Sequence, residues 1–129
     1  MTGMQHFMFA LAENFTHLAF SCAVEPLRLA NLISNKDLYR WSFASPDGRT
    51  ATSSNGAVTL VHHSFENLPE CDRLFVISGI EMHRRDHSDL IATLRRERSR
   101  GRQIGALCSG AWVLAKAGFL YGMQAAIHW

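Results

Sequence analysis

Ile104-Gly105-Ala106-Leu107-Cys108-Ser109-Gly110-Ala111 reads as a strand that reverses sharply into a helix, with a cysteine on the turn. Ala106 and Gly110 lie two positions either side of that cysteine. A tight strand-to-helix reversal brings both neighbouring backbones close, and larger side chains there would collide. The layout exposes Cys108 at a helix N-terminus, where free N–H groups favour thiolate over thiol. The Ser109 amide could donate to an oxyanion, with a second donor from the Gly79-Ile80 loop. An A-x-C-x-G pattern alone is equally compatible with a buried structural cysteine.

Working outward, the same strand-then-helix rhythm recurs. The apolar run His6-Phe7-Met8-Phe9-Ala10-Leu11-Ala12 predicts a strand covered on both faces. Asn14 and Thr16 offer capping oxygens for a helix in which Leu18, Cys22, Leu29, Leu32 and Ile33 recur at roughly helical spacing, up to the polar break Ser34–Asp37. Pro26 inside that stretch predicts a kink or a late start. Tyr39 to Ala44 reads as a strand with Trp41 and Phe43 on one face, followed by the turn Ser45-Pro46-Asp47-Gly48. Val58 to His62 predicts a short strand and Ser64 to Pro69 one turn of helix. Leu74 to Ile77 predicts a buried strand ending at Ser78-Gly79. A helix from about His87 to Arg100 has Leu90, Ile91 and Leu94 inward. Gln103 to Leu107, Ala111 to Ala117 and Met123 to Trp129 predict a strand, a helix closed by Gly118 and a last strand. Strands alternating with helices imply an α/β fold, a mostly parallel sheet with helices on both faces. No internal repeat or low-complexity linker interrupts it.

Composition sets the outer bounds. With 129 residues, 47% of them hydrophobic and 19% charged, the chain buries one core and lacks the composition of disorder. A formal charge of +2 is too small to imply that the whole domain binds nucleic acid or membrane. Cys22, Cys71 and Cys108 are the three cysteines; with no C-x-x-C pair they indicate neither a disulfide framework nor a zinc knuckle. No stretch approaches the length of a membrane span and the N-terminus has no basic leader, so a soluble, unprocessed cytoplasmic protein is expected.

Cys108-Ser109-Gly110, followed by Val113-Leu114-Ala115-Lys116-Ala117-Gly118-Phe119-Leu120 and His128-Trp129, resembles the ThiJ/PfpI superfamily, with its flavodoxin-like, class I glutamine amidotransferase-like fold. Within it, Glu25-Pro26-Leu27-Arg28-Leu29-Ala30-Asn31, Leu38-Tyr39-Arg40-Trp41 and Ser45-Pro46-Asp47-Gly48 resemble the sensor domains of GlxA-type AraC-family transcription regulators, nearest to the group responding to glycine betaine, carnitine or arginine. Hydrolases and hydratases of the superfamily usually place an acid after strand one, where this chain has Ala19, and proteases often carry histidine where it has Ser109. A thiol without its base or acid still binds but turns over poorly. Glu25 lies about two helical turns beyond Ala19 and reads as structural.

The resemblance implies a ligand-sensing, dimerising domain spanning residues 1–129, with a small-molecule effector, a homodimer, and DNA contacted only through a helix-turn-helix domain expected beyond the C-terminus. No cofactor or metal is implied. A sensing crevice is expected where loops converge at strand ends: Asn14, Phe15, Ser78, Gly79, Ile80, Glu81, Cys108, Ser109, Trp112, His128 and Trp129 are its candidates. Aromatic cages bind quaternary ammonium groups, although core packing is the usual role of such rings. The competing function is a cysteine-dependent hydrolase or hydratase; a peroxide sensor at Cys108 is a third.

Other candidates have plainer explanations. His62 and His63 are adjacent on a strand, so they point to opposite faces and cannot chelate one metal. His83 and His87 sit in an arginine-rich loop and read as surface histidines. The run Arg95 to Arg102 suggests nucleic-acid binding, yet cations suit a helix C-terminus, and a solvated face is the expected role.

Overall fold

A computed structural model describes residues 3–80 and 86–126. The apolar run forms β1 (Gln5–Leu11), which lies at the centre of a five-stranded sheet. On one side it pairs in parallel with β2 (Tyr39–Ser45), which in turn pairs with the two-residue β5 (His63–Ser64). On the other it pairs with β6 (Arg73–Ile77), which carries β7 (Gln103–Leu107) on its outer edge. All four pairings are parallel, giving the order β5-β2-β1-β6-β7. A separate antiparallel hairpin joins β3 (Thr50–Thr52) to β4 (Val58–Leu60).

The helices divide between the two faces because β1 and β6 alternate their side chains. Phe9, Leu11 and Ile77 face α1 (His17–Ser34) and pack with Phe20. Met8, Ala10, Leu74 and Val76 face the opposite way, onto Leu90 and Leu94 of α2 (Ser88–Ser99) and Val113 and Leu114 of α3 (Gly110–Lys116). The doubly covered parallel sheet expected from the sequence is therefore present.

Four local expectations need correction. The inward face of α1 is Phe20, Ala23, Val24 and Leu27, not the stripe Leu18, Cys22, Leu29, Leu32 and Ile33. Those residues are exposed, Leu32 by 66% and Ile33 by 82%. Both stripes have helical period; the aromatic Phe20, which meets Phe43 at 4.9 Å and Phe15 at 5.7 Å, wins the core side. Of the two outcomes expected from Pro26, the late start does not occur: the helix runs from His17 to Ser34 with the proline inside. The helix stops at Asn35, whose left-handed φ of 53° lets its amide reach the carbonyls of Asn31 and Leu32.

Ser64 to Pro69 contains a turn rather than a helix, closed by Asn67 N–H donating to the Ser64 carbonyl. Thr50–Thr52 forms a strand with no counterpart in the sequence reading, because three residues are too few for a period to show. Met123 to Ala126 carry no regular structure; the remainder of the expected last strand lies outside the described residues.

Arg95, Arg98 and Arg100 are exposed, as a solvated face requires, but several arginines of the run also make specific contacts. Arg95 donates to the Ala117 carbonyl, Arg96 to the Phe65 carbonyl, and Arg98 stacks 4.3 Å from the Phe119 ring centroid. Glu97 is completely buried and takes a hydrogen bond from Arg100 at 3.1 Å. Its other oxygen lies 3.9 Å from Arg102 Nε, an ion pair too long for a hydrogen bond. These side chains fasten α2 to its neighbours.

Candidate functional site

The turn at Cys108 has the strained geometry its sequence demanded. Cys108 sits at φ +56°, in the left-handed region that a non-glycine residue enters at a cost. It follows the last residue of β7 and precedes α3 by one residue, Ser109. A Cβ on Gly110 would stand 2.7 Å from the Val76 carbonyl oxygen and 3.0 Å from the Ala106 methyl. Small residues at 106 and 110 are thus what lets the turn press against β6.

Two more loops meet this turn. Asn14, after β1, also has a left-handed φ of 60°. A Cβ on Gly79 would run into the Asn14 carbonyl oxygen, so the loops after β1 and β6 touch through bare backbone. Thr16 N–H donates to the Ser78 carbonyl at 3.2 Å, and Asn14 N–H to the Thr52 carbonyl at 2.9 Å. This lattice brings the Thr16 hydroxyl to 3.3 Å from Cys108 Sγ. Ser78 is completely buried between these loops, its Oγ without a hydrogen-bond partner among the described residues.

Beside the loops, two clefts open at the carboxyl ends of the strands, and Glu13 and Pro46 line both. One, of about 330 Å³, also takes in Phe65, Asp86, His87 and Leu90; the other, about 220 Å³, takes in Asp47, Thr50 and Thr52. Amides of Arg49 and Thr50 hold the Asp47 carboxyl below the usual carboxylate range, and the Ser88 amide and hydroxyl do the same for Asp86. Both stay ionised at neutral pH. Among the described residues no group of three histidine, cysteine or acidic side chains could hold a metal ion, and no helix is long and apolar enough to cross a membrane.

The model of the DJ-1/PfpI family matches residues 7–129, through the cysteine turn and the strands that converge on it. The chain belongs to the DJ-1/PfpI family. Among curated proteins it is 38% identical over 121 residues to the HTH-type transcriptional regulator GbdR of Pseudomonas aeruginosa, covering 94% of this chain and 33% of that protein. It is 40% identical over 125 residues to the regulator CdhR of the same organism, covering 97% and 37%. With the regulator GlxA of Rhizobium meliloti it shares 37% over 129 residues, covering 98% and 39%. Among solved structures, an AraC family transcriptional regulator from Pseudomonas putida superposes with a TM-score of 0.85 at 29% identity, over 96% of this chain and 66% of that one. The superfamily and regulator resemblances read from the motifs are both borne out. The chain spans little more than a third of the length of these curated relatives.

Within this DJ-1/PfpI domain the candidate residues fall into three groups. Asn14, Ser78, Gly79, Cys108 and Ser109 lie on the converging loops, and Ile80 beside them is 68% exposed. Phe15 and Trp112 stand apart from these loops, although Trp112 touches His87 of the larger cleft. Phe15 is fully buried in the α1-side core, and the Trp112 ring meets His87 at 6.0 Å and the Lys116 ammonium at 5.1 Å, on the α2–α3 side. Glu81, His128 and Trp129 lie outside the described residues, as does His83. Thr16 is the residue that the sequence reading passed over as a site. Its position on the loop just after β1 was the available signal, but it read as a helix cap, a bond its side chain does not make. Glu25 is on the surface, paired with Arg28.

Proposed function

We propose that this chain is the effector-sensing, dimerising part of an AraC-type transcription regulator, in which a helix-turn-helix domain elsewhere in the protein contacts DNA. Its similarity to three HTH-type regulators along nearly its whole length supports this reading. The observation that carries it at the site is the company Cys108 keeps. Among the described residues Sγ is hydrogen-bonded to the Thr16 hydroxyl, which has no useful acid–base chemistry near neutral pH. Ala19, at the position where hydrolases carry an acid, packs its methyl against the α1-side core. In this reading the turn keeps its inherited shape without serving as a nucleophile's mount.

The effector we propose is a small quaternary amine or amino-acid-like metabolite. The carboxylates Glu13, Asp47 and Asp86, set beside the apolar surfaces of Pro46, Phe65 and Leu90, suit a ligand that is positively charged and partly apolar. Its binding would act by favouring one of two arrangements of the dimer, through unequal affinity for the two. A cysteine-dependent hydrolase or hydratase is the second reading, favoured by the strained φ of +56° that Cys108 retains.

A thermal-shift panel of betaines, carnitine, choline and basic amino acids separates them. Sensing predicts that at least one compound raises the melting temperature and that Cys108→Ala keeps the shift, because native-state binding alone stabilises. Turnover that Cys108→Ala abolishes would overturn the sensor reading. A panel with no shift would remove this effector class.

A further inference from the structure

Thr16 stands where one hydroxyl meets two competing demands. It is the N-cap of α1, with an extended backbone (φ −80°, ψ 113°), and its carbonyl already accepts the first helical bond, from the Phe20 amide at 3.2 Å. A threonine in that position ordinarily turns its hydroxyl onto an amide of the first helical turn. Here it does not. The hydroxyl lies 3.3 Å from Cys108 Sγ, and the Leu18 and Ala19 amides find no acceptor among the described residues.

The surrounding backbone has little freedom to let the hydroxyl serve both. The Thr16 amide is tied to the Ser78 carbonyl at 3.2 Å and the Asn14 amide to the Thr52 carbonyl at 2.9 Å, while Gly79 presses on the Asn14 carbonyl too closely for any side chain. What remains is rotation about the Thr16 Cα–Cβ bond, which has three staggered positions rather than a continuum. One of them points the hydroxyl at the thiol; turning it to the helix breaks that bond. The junction also holds a second hydroxyl. The pairing of Ile77 with Leu107 sets Ser78 beside Cys108 at the strand ends, and Ser78 Oγ is completely buried without a partner among the described residues. Buried polar groups left unbonded are rare, and this one shows that the junction's bonding is incomplete in the arrangement seen.

We propose that Thr16 is a two-position switch: its hydroxyl either bonds the Cys108 thiol or caps α1, so that engaging the thiol hands the hydroxyl to the helix. The thiol bond keeps the first turn of α1 uncapped, and whatever draws Sγ away from Thr16 tightens that turn. Only hydrogen bonds exchange. The switch carries an event at the turn leading into α3 to the helix on the opposite face of the sheet. The inference rests on the sensing function proposed above only for its natural trigger, a ligand reaching Cys108.

Native-state hydrogen exchange at the Leu18 and Ala19 amides, the two that an N-cap oxygen reaches, reads the switch by NMR. Removing the thiol frees Thr16, so Cys108→Ala and Cys108→Gly are each expected to slow exchange at one of these amides about fivefold. Glycine suits the left-handed φ at 108, which keeps the comparison valid if alanine there destabilises the fold. Adding Thr16→Val, which keeps the shape and loses the hydroxyl, is expected to return exchange to the wild-type rate, and adding Thr16→Ser to preserve the slowing. Exchange unchanged by loss of the thiol would overturn the switch, and so would a slowing that persists with Thr16→Val. Either failure would leave a ligand-induced thermal shift intact. A ligand panel without a shift, conversely, would remove the proposed trigger and leave the switch standing.

Discussion

At the residue scale, the cysteine turn is held by what cannot be placed there. An alanine methyl at 110 would press on a backbone carbonyl, which cannot rotate away as a side chain would. Gly110→Ala is expected to destabilise the domain by about 1–3 kcal/mol in urea denaturation. Cys108 itself tolerates an unfavourable φ, so Cys108→Gly should be more stable than Cys108→Ala by about 1 kcal/mol in the same assay. The three thiols should also part company on alkylation. Cys22 and Cys108 are exposed, whereas Cys71 is buried and its thiol is pushed up to about 11 by burial. Native-state iodoacetamide treatment read by mass spectrometry is expected to modify Cys22 and Cys108 and to reach Cys71 only after unfolding.

At the scale of elements, α2 shows how a sequence feature can be seen and still be only partly understood. The arginines from 95 to 102 are conspicuous, but sequence cannot show that Glu97 in their midst is fully buried, because its burial depends on α2 lying against the edge of the sheet. Removing it would take from Arg102, whose side chain is only 16% exposed, the buried carboxylate it faces and leave it only the exposed Glu70 at 3.8 Å. Glu97→Ala is expected to cost about 3 kcal/mol in chemical denaturation.

The same distinction governs what was legible elsewhere. Strands β1, β6 and β7 and the Cys108 turn were readable because apolar runs and small residues at fixed offsets are local signals. The orientation of α1 was not: two apolar stripes of identical period compete, and only contact with Phe9 and Phe43 picks Phe20 for the inside. Asn31 is another case, since its side chain joins α1 to β2 by bonding the amides of Leu38 and Tyr39 and the Tyr39 carbonyl. Nothing local marks it. The site was half legible for the same reason: the loops are sequence features, but the approach of Thr16 to Cys108 crosses 92 residues and requires the assembled sheet.

At the scale of the whole molecule, stability should depend on pH through a histidine at the end of the sheet opposite the crevice. His6 is 5% exposed; its ring nitrogens bond the Glu70 carbonyl and the Ser42 hydroxyl, linking β1 to β2 and to the chain entering β6. Burial lowers its pKa from 6.5, so below that pH the unfolded chain binds the proton more readily than the native one. His63, lowered mainly by burial, adds in the same direction. The stability is complete above pH 6.5 and is lost as pH falls through the lower native value. Melting temperature is expected to decline from pH 7.5 to 5, and His6→Asn to flatten that slope.

The central place of β1 also has a consequence for how the chain is made. Its residues pair on one side with a strand 34 positions later and on the other with one 66 positions later, as Phe7 with Trp41 and then Arg73. At about 5–20 residues per second, a ribosome leaves the second edge of β1 bare for roughly 3–13 s after the strand itself has been synthesised. Met8, Phe9, Ala10 and Leu11, almost wholly buried in the finished fold, have no permanent cover during that interval. The strand that organises the native sheet therefore spends that interval with an apolar edge open to wrong partners while the polypeptide is still growing.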